Sequence, residues 1–119
     1  MSKSLWLTAI GVLVLILVAV FAIRLSSNKG EVSIVNQAGE AIRSGQLEIC
    51  KQQFSLGQVQ PKQSKEIHYK VRSDSHYDVT IEFESGKKLS RQVGYVTSGM
   101  DFHDRLTVTD DDVSLSSRD

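Results

Sequence analysis

The sequence predicts a small antiparallel β-sandwich that follows one apolar N-terminal helix. Residues 5–23 form an apolar run that only Thr8 and Gly11 dilute. The rest of the chain alternates apolar and polar residues and carries turn residues between the alternating segments. The chain has 119 residues, which suffices for one small domain and is too short for a multidomain enzyme.

Residues 5–23 are predicted to form a transmembrane helix. The segment, LWLTAIGVLVLILVAVFAI, contains no charged residue. At about 1.5 Å per residue it would extend roughly 28 Å, close to the hydrocarbon thickness of a bilayer. Trp6 lies near one end, where the membrane interface favours an indole. Residues 1–4 form a tail before this helix, and residues 24–30 form a polar linker after it.

A cleavable signal peptide is the alternative interpretation of this segment. Val20 and Ala22 satisfy the small-residue rule for cleavage after Ala22, but the apolar run is longer than that of most signal peptides, which favours an uncleaved signal anchor. Lys3 and the amino terminus nearly balance Arg24 and Lys29, so flanking charge does not decide the orientation. The short tail favours a single-pass protein of the bacterial inner membrane with its main domain in the periplasm.

The alternating segments predict a sandwich over residues 31–115, and residues 116–119 are expected to fray. Tyr77–Glu84 and Lys65–Arg72 alternate most clearly. Weaker strands are predicted at Glu31–Asn36, Gln46–Lys51, Phe54–Val59, Leu89–Val96, Phe102–Thr109 and Val113–Leu115. Seven to eight short strands at this spacing are typical of a sandwich.

The inward positions of these strands form the predicted core: Val32, Ile34, Leu47, Ile49, Phe54, Leu56, Val59, Ile67, Tyr69, Val71, Tyr77, Val79, Ile81, Phe83, Leu89, Val93, Tyr95, Phe102, Leu106 and Val108. A turn containing Pro61 before a strand, together with the late Gly-Tyr-Val-Thr-Ser-Gly turn, resembles immunoglobulin-like or transthyretin-like modules. This resemblance implies an architecture and no particular function.

Composition excludes several functional classes. Fourteen basic and fourteen acidic residues give zero net charge, whereas nucleic-acid-binding proteins normally have a basic excess. One cysteine excludes an intrachain disulfide framework, and the sequence has neither a Gly-x-Ser-x-Gly motif nor a phosphate-binding glycine-rich loop. We therefore expect no catalytic residues, no enzymatic activity, no cofactor and no nucleic-acid partner.

The histidines and one acidic run are the candidates for metal binding. We expect His68 on the exposed face of its strand and His76 in a turn. Asp101 and His103 can share one face, but a metal site needs further ligands, so no metal site is predicted. The run Asp110–Asp112 lacks the glycine and distal glutamate of an EF-hand, which favours a solvated turn over a weak calcium site.

Cys50 has two interpretations. Strand alternation places it on the outer face, where a lone thiol could form an intermolecular disulfide in an oxidising compartment. A local bulge would turn it inward as a small apolar residue, and we favour this inert state because free cysteines are usually buried.

Arg91 and Asp104 occupy positions where strand alternation calls for an apolar residue. An unpaired buried charge is costly. We therefore predict that the strands 89–96 and 102–109 form a hairpin in which Arg91 and Asp104 make a partly buried structural ion pair.

These features predict a protein that binds and does not catalyse. Residues 5–23 would bind the membrane, and the sandwich would bind an envelope or toxin protein. An immunity protein that neutralises a periplasmic toxin is one specific form. The expected binding surface is a sheet edge or the loop formed by Thr97, Ser98, Gly99, Met100, Asp101 and Phe102. The alternative is an accessory or structural subunit of an inner-membrane complex, with the helix as its interface.

Overall fold

The computed structural model describes residues 8–19 and 28–117, which form one helix and eight strands. Residues 8–19 form helix α1. The strands are β1 (Lys29–Asn36), β2 (Ile42–Ile49), β3 (Gln52–Ser55), β4 (Ser64–Lys70), β5 (Ser75–Phe83), β6 (Lys88–Val96), β7 (Phe102–Val108) and β8 (Val113–Ser117). The predicted all-β class is confirmed.

Helix α1 lies inside the segment that was predicted to span a membrane. Among the described residues, no helix has both the length and the apolar character needed for a membrane crossing. The two ends of the predicted span, residues 5–7 and 20–23, lie outside the described residues, as do residues 1–4 and 24–27.

The eight strands form two sheets of four, with the strand orders β4-β1-β7-β8 and β3-β2-β5-β6. Neighbouring strands pair antiparallel except β1 and β7, which are parallel. Strands β1 and β2 lie in different sheets. This arrangement differs from a constant-type immunoglobulin domain, where the first two strands share a sheet.

The core between the sheets contains nearly all of the predicted inward residues. Each of them is buried or partly buried except Tyr95, whose side chain is 63% exposed. The core also includes Ile42 and Val96, which strand alternation did not assign to it. Segment 54–59 was predicted as a full strand, whereas β3 ends at Ser55 and Val59 makes only an isolated bridge to Ile42.

A bulge in β6 explains why Tyr95 is exposed. Tyr77 pairs with Val93 and Ser75 pairs with Val96, so β6 contains one extra residue between these two pairs. Gly94 provides the positive φ of 73° at this point. Because a bulge reverses the alternation of the strand, Tyr95 faces solvent and Val96 enters the core.

Strand β1 and two connecting segments meet at one end of the sandwich. Strand β1 begins there at Lys29, and the antiparallel pairing with β4 and the parallel pairing with β7 bring Lys70 and Phe102 to the same end. The turn 71–74 and the loop 97–101 therefore lie beside the start of β1. We call this end the N-proximal end.

Candidate functional site

The predicted hairpin between β6 and β7 does not form, because the two strands belong to different sheets. The side chain of Arg91 extends to the turn before β8, where Nε donates to Asp112 Oδ1 at 3.0 Å and Nη2 donates to the Asp111 carbonyl at 3.0 Å. Asp104 is buried, as its position in the strand suggested, but it accepts a hydrogen bond from Tyr77. The prediction of an ion pair between Arg91 and Asp104 is therefore wrong.

The acidic run Asp110–Asp112 forms a turn that contacts two cations, Lys87 in the turn between β5 and β6 and Arg91 on β6. Lys87 Nζ donates to the Asp110 carbonyl and to Asp111 Oδ1, both at 2.7 Å. The hydrogen bond between Lys87 and Asp111 raises the pKa of the lysine and lowers the pKa of the carboxyl. With Arg91 on Asp112, these exposed contacts link the run to β6 and to the turn before it.

The buried carboxyl of Asp104 belongs to a chain of hydrogen bonds through the core. Tyr77 Oη donates to Asp104 Oδ2 at 2.7 Å, and Tyr69 Oη lies 2.6 Å from Tyr77 Oη. The two rings meet edge to face, with centroids 5.9 Å apart. Burial raises the pKa of Tyr69 to about 12, and burial together with the hydrogen bond donated to Asp104 raises the pKa of Tyr77.

Gly30 makes room for this tyrosine pair. Gly30 is the cross-strand partner of Tyr69, and a Cβ atom on Gly30 would lie 2.2 Å from the Tyr69 ring. The ring therefore occupies the space that a side chain on β1 would need. The sequence pattern identified Asp104 as unusual, but the hydroxyl partners could be found only once the strand order was known.

The loop between β6 and β7, residues 97–101, lies at the N-proximal end. Ser98 N donates to Asp74 Oδ1 at 3.2 Å, and Gly99 N donates to Asn28 Oδ1. These bonds tie the loop to the turn before β5 and to the residue before β1. Met100 is exposed, with 57% of its surface accessible. The residues predicted as a binding loop are thus adjacent in space and close to the start of the domain.

A second surface feature, which the sequence did not indicate, is a cleft of about 430 Å³ between the edge strands β3 and β4. Lys29, Lys70 and Arg72 line it together with the aromatic rings of Phe54 and Tyr69. Of the eight described residues that line the cleft, none is acidic. We call this feature the basic cleft.

The side chain of Gln52 joins the two edges of the basic cleft. Its Nε2 donates to the Lys70 carbonyl at 2.7 Å, and its Oε1 accepts from Lys70 N at 3.2 Å. The amide thus pairs with the backbone of Lys70 as a strand residue would. This contact fixes the position of Lys70 relative to Phe54, which lies on β3.

Cys50 is buried, whereas the three histidines lie on strands and are exposed or partly exposed. Cys50 is buried, in agreement with the inward interpretation, and its Sγ lies 3.3 Å from the Ser73 carbonyl. His76 was predicted to lie in a turn but belongs to β5, and its Nε2 lies 3.4 Å from Asp78 Oδ2. His68 and His103 are exposed on β4 and β7, on either side of β1.

Comparison with known proteins supports the architecture. Neither a protein-family model nor a curated protein matches this chain. Among solved structures, the NMR structure of the protein from Eubacterium rectale is similar, with a TM-score of 0.58 and 14% sequence identity. The match covers 76% of this chain and 88% of that chain. At this identity, the similarity shows a common fold alone.

Proposed function

We propose that this chain is a membrane-anchored binding protein of the bacterial cell envelope. Its β-sandwich, of the transthyretin-like type, would recognise an acidic segment of another envelope protein through the basic cleft. The observation that carries this proposal is the composition of the cleft, which Lys29, Lys70 and Arg72 line together with Phe54 and Tyr69. Such a surface suits a segment that combines carboxylates with an apolar or aromatic side chain.

The size of the basic cleft supports a peptide segment as the ligand. A volume of about 430 Å³ lies in the lower part of the range for ligand sites, roughly 300–1,000 Å³. It can accommodate one or two side chains. Binding by an adjacent sheet edge would add backbone hydrogen bonds to these side-chain contacts. A periplasmic toxin that is neutralised by such binding is one partner of this class.

The anchoring part of the proposal rests on the apolar run and on the surface of α1. Within α1, the side chains of Leu13, Leu15 and Leu17 are at least 58% exposed. Contiguous apolar surface of this kind marks a contact with lipid or protein. We propose that residues 5–23 cross the inner membrane and leave the sandwich in the periplasm.

A pair of fusions tests the location. Alkaline phosphatase, which is active only outside the cytoplasm, is fused after Asp119, and green fluorescent protein is fused there in parallel. We expect an active phosphatase fusion and a dark fluorescent-protein fusion. Deletion of residues 1–24 serves as the control and should abolish phosphatase activity. An inactive phosphatase with a bright fluorescent-protein fusion would contradict the proposed orientation.

Photo-crosslinking in cells tests the basic cleft. The amino acid p-benzoylphenylalanine replaces Phe54 in the full chain, and in a control it replaces Ser90 on β6, at the opposite edge of the same sheet. We expect a discrete crosslinked protein only at position 54. Lys70→Glu should abolish this product, whereas Lys65→Glu, a matched charge reversal outside the cleft on β4, should retain it. Equal products at positions 54 and 90 would contradict the proposed site.

The alternative function is an accessory subunit of a membrane complex that assembles through the helix. The exposed apolar residues of α1 favour it, because a second transmembrane helix could cover them. Replacement of residues 5–23 by an unrelated transmembrane segment separates the two functions. Retention of the crosslinked partner supports recognition by the sandwich, and its loss supports the alternative.

A further inference from the structure

The outer face of the β4-β1-β7-β8 sheet carries a row of three metal-ligating residue types. Glu31 on β1 is paired with His68 on β4 and with His103 on β7. Neighbouring strands lie about 4.8 Å apart, so these three side chains stand side by side. All three point away from the core, since their neighbours in sequence on the same strands are buried or partly buried.

A second carboxylate completes the group. Glu66 precedes His68 by two residues on β4 and therefore shares its face. The ligand atoms of Glu31, Glu66 and His68 all lie within 4.8 Å of one another. His68 Nε2 is 3.9 Å from Glu66 Oε1, and His103 Nδ1 is 3.5 Å from Glu31 Oε2.

We propose that these residues form a zinc site, with Glu31, Glu66 and His68 as ligands and His103 as the residue that orients Glu31. Zinc binds nitrogen and carboxylate oxygen at about 2.0–2.2 Å in tetrahedral geometry, which requires ligand atoms roughly 3.4 Å apart. The ligand atoms lie within 4.8 Å of one another, and binding would require the exposed Glu66 and His68 side chains to rotate toward that spacing. The two carboxylates balance the charge of the ion.

The donor set selects the metal. Imidazole favours zinc and its neighbours in the transition series over magnesium and calcium, which prefer oxygen ligands. Three protein ligands leave a fourth position for water or for a group from a partner. Carboxylates that bind a metal are usually held in place by groups outside the coordination sphere. His103 would hold Glu31 in one orientation in this way.

The strands give this group a rigid base. Glu31 lies on a central strand between β4 and β7, and its side chain is only 22% exposed. Its position is therefore set by pairing on both sides. Of the four residues, His68 also lines the basic cleft, whereas Glu31, Glu66 and His103 do not, so the zinc site borders the cleft. Zinc binding is measured on the purified chain without a protein partner, so its outcome is independent of the crosslinking result.

Zinc titration of the full chain in detergent, after removal of metal with a chelator, tests the site. Isothermal calorimetry should give one zinc ion per chain. We expect Glu31→Gln and His68→Ala to weaken binding at least tenfold, and His103→Ala to weaken it by about 10- to 100-fold. The matched control is His76→Ala, because His76 also has a carboxylate neighbour, Asp78, but lies outside the group.

Cobalt provides an independent readout, because its visible spectrum reports nitrogen and oxygen ligands in tetrahedral geometry. The wild type and His76→Ala should give the same spectrum, and Glu31→Gln should lose it. Circular dichroism of the metal-free variants checks folding, with Glu66→Gln replacing any variant that does not fold. A stoichiometry well below one ion per chain, or equal affinity in the wild type and Glu31→Gln, would overturn the proposal.

Discussion

Tyr77 donates a hydrogen bond of 2.7 Å to Asp104, and this bond joins the two sheets through the core. Tyr77 belongs to β5 and Asp104 to β7, which lie in opposite sheets. Because the single hydroxyl hydrogen of Tyr77 goes to Asp104, the hydroxyl of Tyr69 must be the donor in the 2.6 Å contact between the two tyrosines. The three side chains thus form a continuous chain of hydrogen bonds in a buried setting.

The first prediction concerns the stability that this hydrogen bond provides. Tyr77→Phe should lower the free energy of unfolding by about 2–3 kcal/mol, since Asp104 and Tyr69 each lose a buried partner. Urea denaturation measures the change. Tyr95→Phe is the control, because its hydroxyl bonds to Asp74 on the surface and its removal should change stability by less than about 0.5 kcal/mol. Losses of equal size in the two variants would contradict a special role for the buried bond.

The second prediction is a loss of stability at alkaline pH. The pKa of Tyr69 is about 12 in the folded chain, against 10.0 as its ordinary value, and the pKa of Tyr77 is also raised. Between these values the unfolded chain releases protons that the folded chain retains, so stability falls as pH rises. The stabilisation from these protonated hydroxyls should be fully present below pH 10 and should decline between pH 10 and about 12.

Urea midpoints measured across this range test the alkaline prediction. Tyr69→Phe removes one of the two groups, so its stability should fall less steeply above pH 10 than that of the wild type. Tyr95→Phe should retain most of the wild-type slope, because Tyr95 is exposed. A wild-type midpoint that stays constant up to pH 12 would show that the hydroxyls titrate equally in both states.

Strand alternation predicted most of the core because the inner face of each sheet follows a strict period of two. It failed where that period breaks. Because of the bulge at Gly94, Val96 is buried in the core and Tyr95 is exposed, the reverse of what alternation predicts. No alternation pattern shows such an insertion in advance. Arg91 kept the inward phase but lies on an edge strand, so its long side chain reaches past the sheet to solvent and to Asp112.

The candidate sites depend on strand order and therefore could not be predicted from the sequence. The basic cleft combines Lys29, Phe54 and Lys70, which come from three separate strands or their ends. The row of His68, Glu31 and His103 requires the parallel pairing of β1 with β7. Parallel neighbours are joined by long connections, and local sequence patterns do not identify them.

The third prediction replaces the expected ion pair of Arg91 with the observed one. A double-mutant cycle of Arg91→Ala and Asp112→Ala should give a coupling energy of about 0.2–1 kcal/mol, the range for an exposed pair. A second double-mutant cycle, with Arg91→Ala and Asp104→Ala, should give changes in the free energy of unfolding that add to within about 0.5 kcal/mol. Strong coupling in the second cycle and none in the first would restore the predicted hairpin and refute the observed strand order.

The fourth prediction concerns Asn36, a fully buried residue at the end of β1 that connects two loops. Its Nδ2 donates to the carbonyls of Glu40 and Val59, both at 3.0 Å, and its Oδ1 accepts from Ala38 N at 2.9 Å. One side chain therefore satisfies three backbone groups. Asn36→Ala should lower the free energy of unfolding by about 2–4 kcal/mol, since buried backbone groups without partners are costly.

Two further variants separate hydrogen bonding at Asn36 from the loss of packing. Asn36→Asp keeps the size and the acceptor for Ala38, but at neutral pH its carboxylate cannot donate to Glu40 or Val59 and repels their carbonyl oxygens. We expect it to destabilise the domain at least as much as Asn36→Ala. Gln37→Ala, at the exposed neighbouring position, should change stability by less than about 0.5 kcal/mol. If Asn36→Asp unfolds at the wild-type urea concentration, volume at this position matters and the two donated bonds do not.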